Sequence, residues 1–223
     1  NLLLCGISCM IGYQINGALR FNKIVKKHTD SKIIWGGWLP SIFTNTITNI
    51  DTIDFICIGQ GETPFKEITK SMLVGNFSPN IQGIINVKSA QDSISIQPLK
   101  EQTPNAGLDF NLIDVNKIID INGIMESGNR GTDYLATYGC PNNCSFCNLA
   151  YIYGKRWYPK EIKEIMADIL DLIRIGKINY LTLSDDNFFV NRSFVLSFCE
   201  SLINQNLGLK WEANANAGHF LKT

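Results

Sequence analysis

Three cysteines lie close together in "GCPNNCSFC", residues 139–147. Cys140, Cys144 and Cys147 give the spacing Cys-x-x-x-Cys-x-x-Cys. Pro141 and the two asparagines after it favour a turn over a helix, and in a turn all three sulfurs can converge on one point. The spacing therefore indicates a metal centre.

The number of thiols narrows the choice of metal. Structural zinc takes four ligands, commonly from two Cys-x-x-Cys pairs, and the sequence has no second pair. An all-cysteine 4Fe-4S cluster also takes four thiolates. A cluster held by three cysteines instead leaves one iron open, and an open iron can bind a substrate or cosubstrate directly. We expect a cluster of this kind.

The other four cysteines are scattered. Cys5, Cys9, Cys57 and Cys199 each have apolar neighbours in the sequence, and free cysteine packs like a small apolar side chain. No apolar run approaches the roughly 18 to 20 residues that span a bilayer, and the N-terminal sequence lacks the features of a signal peptide. We predict a cytoplasmic protein, in which disulfides are rare.

Charge and composition favour a globular protein that acts on small or neutral partners. The 223 residues are 45% hydrophobic, and 20 basic residues balance 20 acidic residues without a block of either sign. This balance predicts no binding to nucleic acid or to an anionic membrane. The chain starts without methionine in a strand-like run and stops soon after another, so we expect a fragment of a longer protein.

Alternating strands and helices precede the cysteines. Strands are predicted at "LLLCGI" (2–7), "KIIWGG" (32–37) and "IDFICIG" (53–59). A helix is expected after each strand, the second over residues 39–49 and the third with Thr63 as its cap and Pro64 as its first residue. Such alternation predicts a parallel sheet, whose ligands bind beyond the carboxyl ends of the strands.

Residues 76–130 carry mainly turn and loop signals. We therefore predict a first domain over 1–75, a linker over 76–130 and a second domain over 131–223. Within the linker, "GIINV" (83–87) and "SISIQP" (93–98) can pair as a small hairpin.

The second domain resumes the alternation. "DYLATYG" predicts a strand that leads to Cys140, and residues 159–176 carry apolar side chains at helical spacing, with Gly176 at the end. The strand "YLTL" follows, then a helix over about 193–205 and the strand "LKWEANANA" (209–217).

Polar side chains accompany these later strands. Asp185 and Asp186, in "SDDN" directly after "YLTL", can cap the next helix, bind a metal or accept a hydrogen bond from an ammonium group. In "LKWEANANA", alternation puts Glu212, Asn214 and Asn216 on one face and Trp211 with two alanines on the other. A polar face inside a parallel barrel suggests a cofactor pocket; solvated side chains near the barrel mouth are the alternative.

The motif "GCPNNCSFC" at the end of a first barrel strand is similar to the signature of the radical S-adenosylmethionine (radical SAM) enzymes. The resemblance implies a 4Fe-4S cluster on Cys140, Cys144 and Cys147, with an open iron that chelates the amino and carboxylate groups of S-adenosylmethionine. An electron from the cluster then cleaves the sulfonium and gives a 5'-deoxyadenosyl radical. Phe146 matches the position that lies against the adenine, and a buried core position is its alternative.

The resemblance also extends to the later polar residues. Asp185 and Asp186 stand where the family receives the methionine amino group, and Glu212 and Asn214 stand where it contacts the ribose or carboxylate. Because "SDDN" replaces the commoner Gly-Gly-Glu, the choice between the two aspartates stays open.

The loops after the first three strands resemble those of the cobalamin-binding Rossmann-like domain, where they hold the nucleotide tail. Glycines in such loops also make tight turns, which is the alternative. None of the loops has the GxGxxG pattern, which disfavours a nicotinamide site. The candidate cobalamin-binding residues are Ser8, Met10, Gly36, Gly37, Gly59 and Gly61.

Together the two resemblances point to the cobalamin-dependent radical SAM enzymes. The implied fold class is α/β, with a Rossmann-like parallel sheet of the cobalamin-binding type, incomplete at its N-terminus, followed by a partial (β/α) radical SAM barrel. The leading implied reaction is methylation of an unactivated carbon, with methylcobalamin as the methyl donor. Radical cyclisation, oxidation or ring rearrangement is the alternative, and a non-catalytic iron–sulfur electron carrier is the alternative from another class.

The implied cofactors are a 4Fe-4S cluster, S-adenosylmethionine and cobalamin. The implied partners are a small-molecule or peptide substrate and a reducing protein such as a flavodoxin or ferredoxin. As a fragment, the chain is not expected to be active without the rest of its barrel.

Overall fold

The computed structural model of the protein describes residues 2–75, 81–89, 109–119 and 129–220. They form two compact units. The first contains the described residues up to 102 together with Asn143–Gly154, and the second contains those of 103–142 and from Lys155 onward. The domain boundaries expected from the sequence stay predictions.

The first unit is built on a four-stranded sheet. Its strands are β1 (Leu4–Ser8), β2 (Lys32–Gly36), β3 (Phe55–Cys57) and β4 (Ile84–Asn86), in the order β1-β2-β3-β4. The first three strands are parallel and β4 is antiparallel to β3. The strand in "GIINV" therefore exists but extends the main sheet, and the proposed partner "SISIQP" lies outside the described residues.

The helices of the first unit differ from the expected ones in two places. They are α1 (Gln14–His28), α2 (Trp38–Ile42), α3 (Thr44–Ile47), α4 (Glu62–Leu73) and α5 (Leu149–Tyr153). The single helix expected over 39–49 is two short helices, because Phe43 leaves the helical conformation with φ −114° and ψ 40°. Gly61, not Thr63, is the N-cap of α4, so the expected cap was wrong.

The sheet of the first unit is covered on both faces. Ile33 and Trp35 pack with Val25 of α1 in one apolar cluster. Between them along β2, Ile34 points to a second cluster that contains Ile68 of α4. A strand buried on both faces reads as a continuous apolar run, which is why "KIIW" shows no alternation.

The second unit holds a parallel sheet and a small antiparallel one. The parallel sheet contains β5 (Gly131–Tyr134), β8 (Tyr180–Leu183) and β9 (Lys210–Ala213), in the order β5-β8-β9. β6 (Thr137–Tyr138) and β7 (Tyr158–Pro159) pair antiparallel. The strand expected over 133–139 is thus divided into β5 and β6, and the mixed α/β class with parallel strands is confirmed.

One face of this parallel sheet is covered by helices. They are α6 (Ile162–Gly176) and α7 (Arg192–Gln205), and a short helix, α8 (Ala217–Phe220), follows β9. Ile165 and Ile169 of α6 pack with Leu181 and Leu183 of β8 in the core of the unit. α6 ends where its sequence predicted, although its left-handed cap is Lys177, with φ 54°.

A buried ionic group lies on the helix side of β5. The hydroxyl of Tyr134 donates to Asp168 Oδ2 at 2.6 Å, and Lys160 Nζ donates to the same hydroxyl at 3.0 Å. Lys160 Nζ is also 3.5 Å from Asp168 Oδ2, and its side chain is only 3% exposed. Burial lowers the pKa of Lys160, and the charge of Asp168 opposes that shift. The group ties α6 to β5 and to the residue that follows β7.

We predict that Lys160→Met destabilises the second unit by about 3 kcal/mol, because removing one partner leaves the other charge buried and uncompensated. Urea unfolding followed by tryptophan fluorescence measures the change. The double variant Lys160→Met with Asp168→Leu is expected to recover part of the loss, since an apolar pair of similar volume replaces the ion pair. A loss below about 1 kcal/mol for the single variant would show that the pair is solvated.

Candidate functional site

The segment between β5 and Cys140 is held by a buried carboxylate. Asp185, two residues after β8, has no exposed surface. Its Oδ2 accepts from the Ala136 amide at 3.4 Å, and its Oδ1 accepts from the Thr137 amide. Both amides lie just after β5, so Asp185 connects the carboxyl ends of two neighbouring parallel strands.

The next two residues, Asp186 and Asn187, contact residues closer to the cysteine motif. Asp186 Oδ2 accepts from the Gly139 amide at 2.9 Å, and Asn187 Nδ2 donates to Cys140 Sγ at 3.5 Å. Gly139 has φ +75°, a conformation that favours glycine, and this turn directs the chain into the cysteine loop. Asp185 and Asp186 thus contact the backbone before the first cysteine, and Asn187 contacts the sulfur of that cysteine.

Burial changes the acidity of Asp185. Removal from water raises its pKa to about 6 from the ordinary 3.8, while hydrogen bonds from Thr137 and Ala136 act in the opposite direction. The burial effect is larger because a charged carboxylate loses its hydration in this position. Asp186 is exposed at the surface, but partial removal of its carboxyl group from water also raises its pKa, while the hydrogen bond from Gly139 acts in the opposite direction.

The other face of the parallel sheet carries paired polar side chains. Ser184 Oγ donates to Asp133 Oδ1 at 2.6 Å, and Thr182 Oγ1 donates to Glu212 Oε1 at 3.0 Å. Because Leu181 and Leu183 enter the core, these polar residues lie on the face away from it. The polar face expected for the third strand is therefore present at Glu212.

Sequence reasoning missed three members of this face. Asp133, Thr182 and Ser184 alternate with buried residues, and alternation in "GTDY" and "YLTLS" was the signal that could have found them. Asn214 lies just beyond β9, where its Nδ2 donates to the carbonyl of Asp185 at 3.4 Å. It therefore contacts the backbone of the aspartate pair.

The three clustered cysteines are all partly buried free thiols. The Cys147 amide donates to the Cys144 carbonyl at 3.1 Å, which makes the expected turn in that part of the motif. Among the described residues, no three histidine, cysteine, aspartate or glutamate side chains are gathered in a metal-binding geometry. The donor set itself fits an iron–sulfur cluster, since thiolates are the ligands that such clusters take. Phe146 is 87% exposed, so the core alternative for it is wrong.

The scattered cysteines differ from the clustered ones. Cys9 and Cys57 are buried in the first unit. Burial, with a smaller contribution from the charge of Glu62, raises the pKa of Cys57 to about 12. Cys5 and Cys199 are partly buried. Packing is thus the role of the two buried thiols.

The candidate cobalamin loops lie together at the carboxyl ends of the strands of the first sheet. Ser8 pairs in register with Gly36 at the carboxyl ends of β1 and β2. The Cys9 amide donates to the Gly36 carbonyl at 2.8 Å, and the Gly59 amide donates to Ser41 Oγ at 3.0 Å. Met10 is 51% exposed beside this edge, and Gly61 precedes α4 as its N-cap.

The backbone conformation and the close packing at residue 37 require glycine. Its φ of +91° and ψ of −161° lie in a region open almost only to glycine. A Cβ atom there would lie 2.9 Å from Ser8 Oγ and 3.2 Å from backbone atoms of Cys9. The turn alternative therefore accounts for this glycine, and its contact with a cofactor stays a prediction.

A curated relative matches most of the chain. The chain is 24% identical to the anaerobic magnesium-protoporphyrin IX monomethyl ester cyclase of Synechocystis sp. over 179 residues, which are 79% of this chain and 35% of that protein. The chain thus spans about a third of this relative's length. No family model matches the sequence.

Solved structures show the fold directly. The radical S-adenosylmethionine methyltransferase TsrM of Kitasatospora setae, solved with cobalamin and a [4Fe-4S] cluster, superposes on 92% of this chain and 41% of its own, with a TM-score of 0.67 and 13% identity. The fold of the chain is therefore similar to that of a cobalamin-bound radical SAM enzyme. The cobalamin-dependent S-adenosylmethionine radical enzyme OxsB, solved with aqua-cobalamin and S-adenosylmethionine, covers 94% of this chain and 30% of its own, with a TM-score of 0.66 and 16% identity.

These matches confirm the resemblance and the fold class predicted from the sequence. The chain combines a Rossmann-like parallel sheet with a second parallel sheet similar to part of the barrel in these solved structures. Among its described residues, no helix has the length and apolar character to cross a membrane.

We predict that Asp185→Asn changes how stability depends on pH. The folded chain binds the Asp185 proton more tightly than the unfolded chain between about pH 4 and 6, so wild-type stability from this group falls as the pH rises through that range. A rise of the pKa from 3.8 to about 6 corresponds to roughly 3 kcal/mol. Relative to wild type, the Asn variant should therefore gain about that much between pH 3.5 and 7. Parallel stability curves for the two proteins in urea unfolding would contradict this.

Gly37→Ala should destabilise the first unit by about 3 kcal/mol, because a β-carbon meets both a disallowed conformation and Ser8. Gly17→Ala is the matched control, since Gly17 lies in α1 with open space around it. That control should stabilise by about 0.5 to 1 kcal/mol through helix propensity. Equal effects of the two substitutions in urea unfolding would argue against the packing role of Gly37.

Proposed function

We propose that the chain carries the cobalamin-binding part and the cluster-binding part of a radical SAM methylase that acts on an unactivated carbon. The single observation that carries this proposal is the position of Cys140. It follows the first strand of a parallel sheet in a chain whose fold matches TsrM over 92% of its length. The motif "GCPNNCSFC" supplies the thiols at that position.

The bound groups supply the reactive chemistry. A 4Fe-4S cluster held by Cys140, Cys144 and Cys147 would supply the electron for cleavage of S-adenosylmethionine, and cobalamin at the carboxyl ends of the strands of the first sheet would supply the methyl group. The residues of the chain bind and orient these groups. The candidate cobalamin-binding residues remain Ser8, Met10, Gly36, Gly37, Gly59 and Gly61.

The two aspartates take different parts in this proposal. Asp185 is fully buried, and both of its carboxylate oxygens accept backbone hydrogen bonds. Asp186 is exposed and has one oxygen, Oδ2, on the Gly139 amide. Asp186 is therefore the better acceptor for the methionine ammonium, and Asp185 supports the segment behind it.

Three further residues complete the proposed cosubstrate site. Glu212, half-buried and oriented by Thr182, offers a carboxylate on the polar face of the sheet for the ribose hydroxyls. Asn214 is exposed next to the Asp185 carbonyl and can contact the carboxylate end of the cosubstrate. The exposed ring of Phe146 offers an apolar surface for the adenine.

Cyclisation or another radical outcome in the same family is the second candidate, because the Synechocystis relative is a cyclase. The proposed substrate is a small molecule or peptide. We further propose a cytoplasmic location and an electron donor such as a flavodoxin or ferredoxin. None of the relatives named above is an electron carrier.

Electron paramagnetic resonance of the reduced cluster, with and without S-adenosylmethionine, tests the proposal. We expect the cosubstrate to change the signal, because it occupies the open iron. Cys144→Ala should lose most of the iron, whereas Cys199→Ala, on α7 and outside the motif, should keep it. If the protein binds a full cluster whose signal does not change with S-adenosylmethionine, the fourth iron has no free coordination site and the proposal is wrong.

Cobalamin separates the two candidate reactions. With reductant and S-adenosylmethionine, a methylase should convert cob(I)alamin to methylcobalamin, which visible absorption detects. Formation of 5'-deoxyadenosine without methylcobalamin would favour cyclisation or oxidation.

A further inference from the structure

Asp185, Asp186 and Asn187, which follow β8, contact the segment that leads to Cys140. Asp185 reaches residues 136 and 137, Asp186 reaches Gly139, and Asn187 reaches Cys140. The first two contacts are made to backbone amides. Asn187 is different because it contacts the side chain that would bind iron.

The amide of Asn187 is placed to donate to sulfur. Its Nδ2 is 3.5 Å from Cys140 Sγ and 3.1 Å from His219 Nδ1, and the residue is only 2% exposed. An NH₂ group has two protons, so it can serve both acceptors at once. The reverse orientation would put the amide oxygen against a thiolate, which repels it. That repulsion favours the orientation in which a proton points to the sulfur, whereas His219 Nδ1, which also lies 3.4 Å from Asn187 Oδ1, is compatible with either orientation.

A hydrogen bond to a cluster ligand affects the two oxidation states unequally. Reduction adds an electron, and part of its negative charge resides on the ligand sulfurs. A donor to such a sulfur stabilises the reduced state more than the oxidised one and raises the reduction potential. The effect is strengthened by burial, because the local dielectric constant is low.

We propose that Asn187 is a positioning residue that donates a hydrogen bond to the Cys140 thiolate and makes the cluster easier to reduce. The inference rests on the proposed function, since it requires the cluster on Cys140. It assigns a role to the last residue of "SDDN" that differs from cosubstrate binding by the aspartates.

A potentiometric titration of the cluster, followed by electron paramagnetic resonance in the full-length protein, tests this role. Asn187→Leu keeps the approximate volume and removes the donor. We expect its reduction equilibrium constant to fall about tenfold, which for one electron is about 59 mV toward more negative potential. The matched control is Asn204→Leu, the same replacement at an exposed position of α7, which should keep the wild-type potential.

Asn187→Gln covers the case in which the Leu variant does not bind the cluster, because glutamine keeps the amide donor. Iron bound by the Gln variant and lost from the Leu variant would support the positioning role. A wild-type potential in a well-loaded Leu variant, or loss of iron from both variants, would overturn it. Failure of the proposed function is distinct, since wild-type protein would then bind no cluster or show no response to S-adenosylmethionine.

Discussion

The buried carboxylate of Asp185 is the constraint on which the geometry of the second unit depends. After β5 the amides of Ala136 and Thr137 are buried, and a buried amide without an acceptor is costly. Asp185 supplies both acceptors from the end of the neighbouring strand. The ends of β5 and β8 are therefore fixed relative to each other, and the position of Cys140, a few residues later, follows from that contact.

In the first unit, uncharged groups accept the hydrogen bonds of the amides that follow the strands. At its carboxyl edge, the amides of Cys9 and Gly59 donate to the Gly36 carbonyl and to the Ser41 hydroxyl. Its buried carboxylate, Asp54, lies at the other end of the sheet, where it accepts from the Ile33 amide and pairs with lysines. Charged groups thus stabilise the amino ends of these strands, whereas hydrogen bonds between uncharged groups hold the candidate cobalamin loops.

The sequence predicted the elements that have strong periodic patterns. The helix α6 and the run "KIIW" were found because many consecutive residues carry the signal, and the cysteine motif because its spacing is specific. β4, β6 and β7 have two or three residues each, too few for a period, so their pairing depends on tertiary contacts. The contact between Asn187 and Cys140 was missed for a related reason, since 47 residues separate the partners and no local pattern marks the pair.

The roles within "SDDN" also depend on burial rather than residue type. Asp185 and Asp186 are identical in chemistry and adjacent in the chain, yet one is fully buried and the other exposed. A buried carboxylate with both oxygens on backbone amides has little capacity left for a ligand, whereas an exposed one with a single contact keeps it. Asn187, buried again, has an uncharged donor and so can lie against a thiolate where an aspartate would be repelled. In the proposed function, the order of the three residues would thus place a structural acceptor, an acceptor for the cosubstrate and a sulfur donor along one short segment.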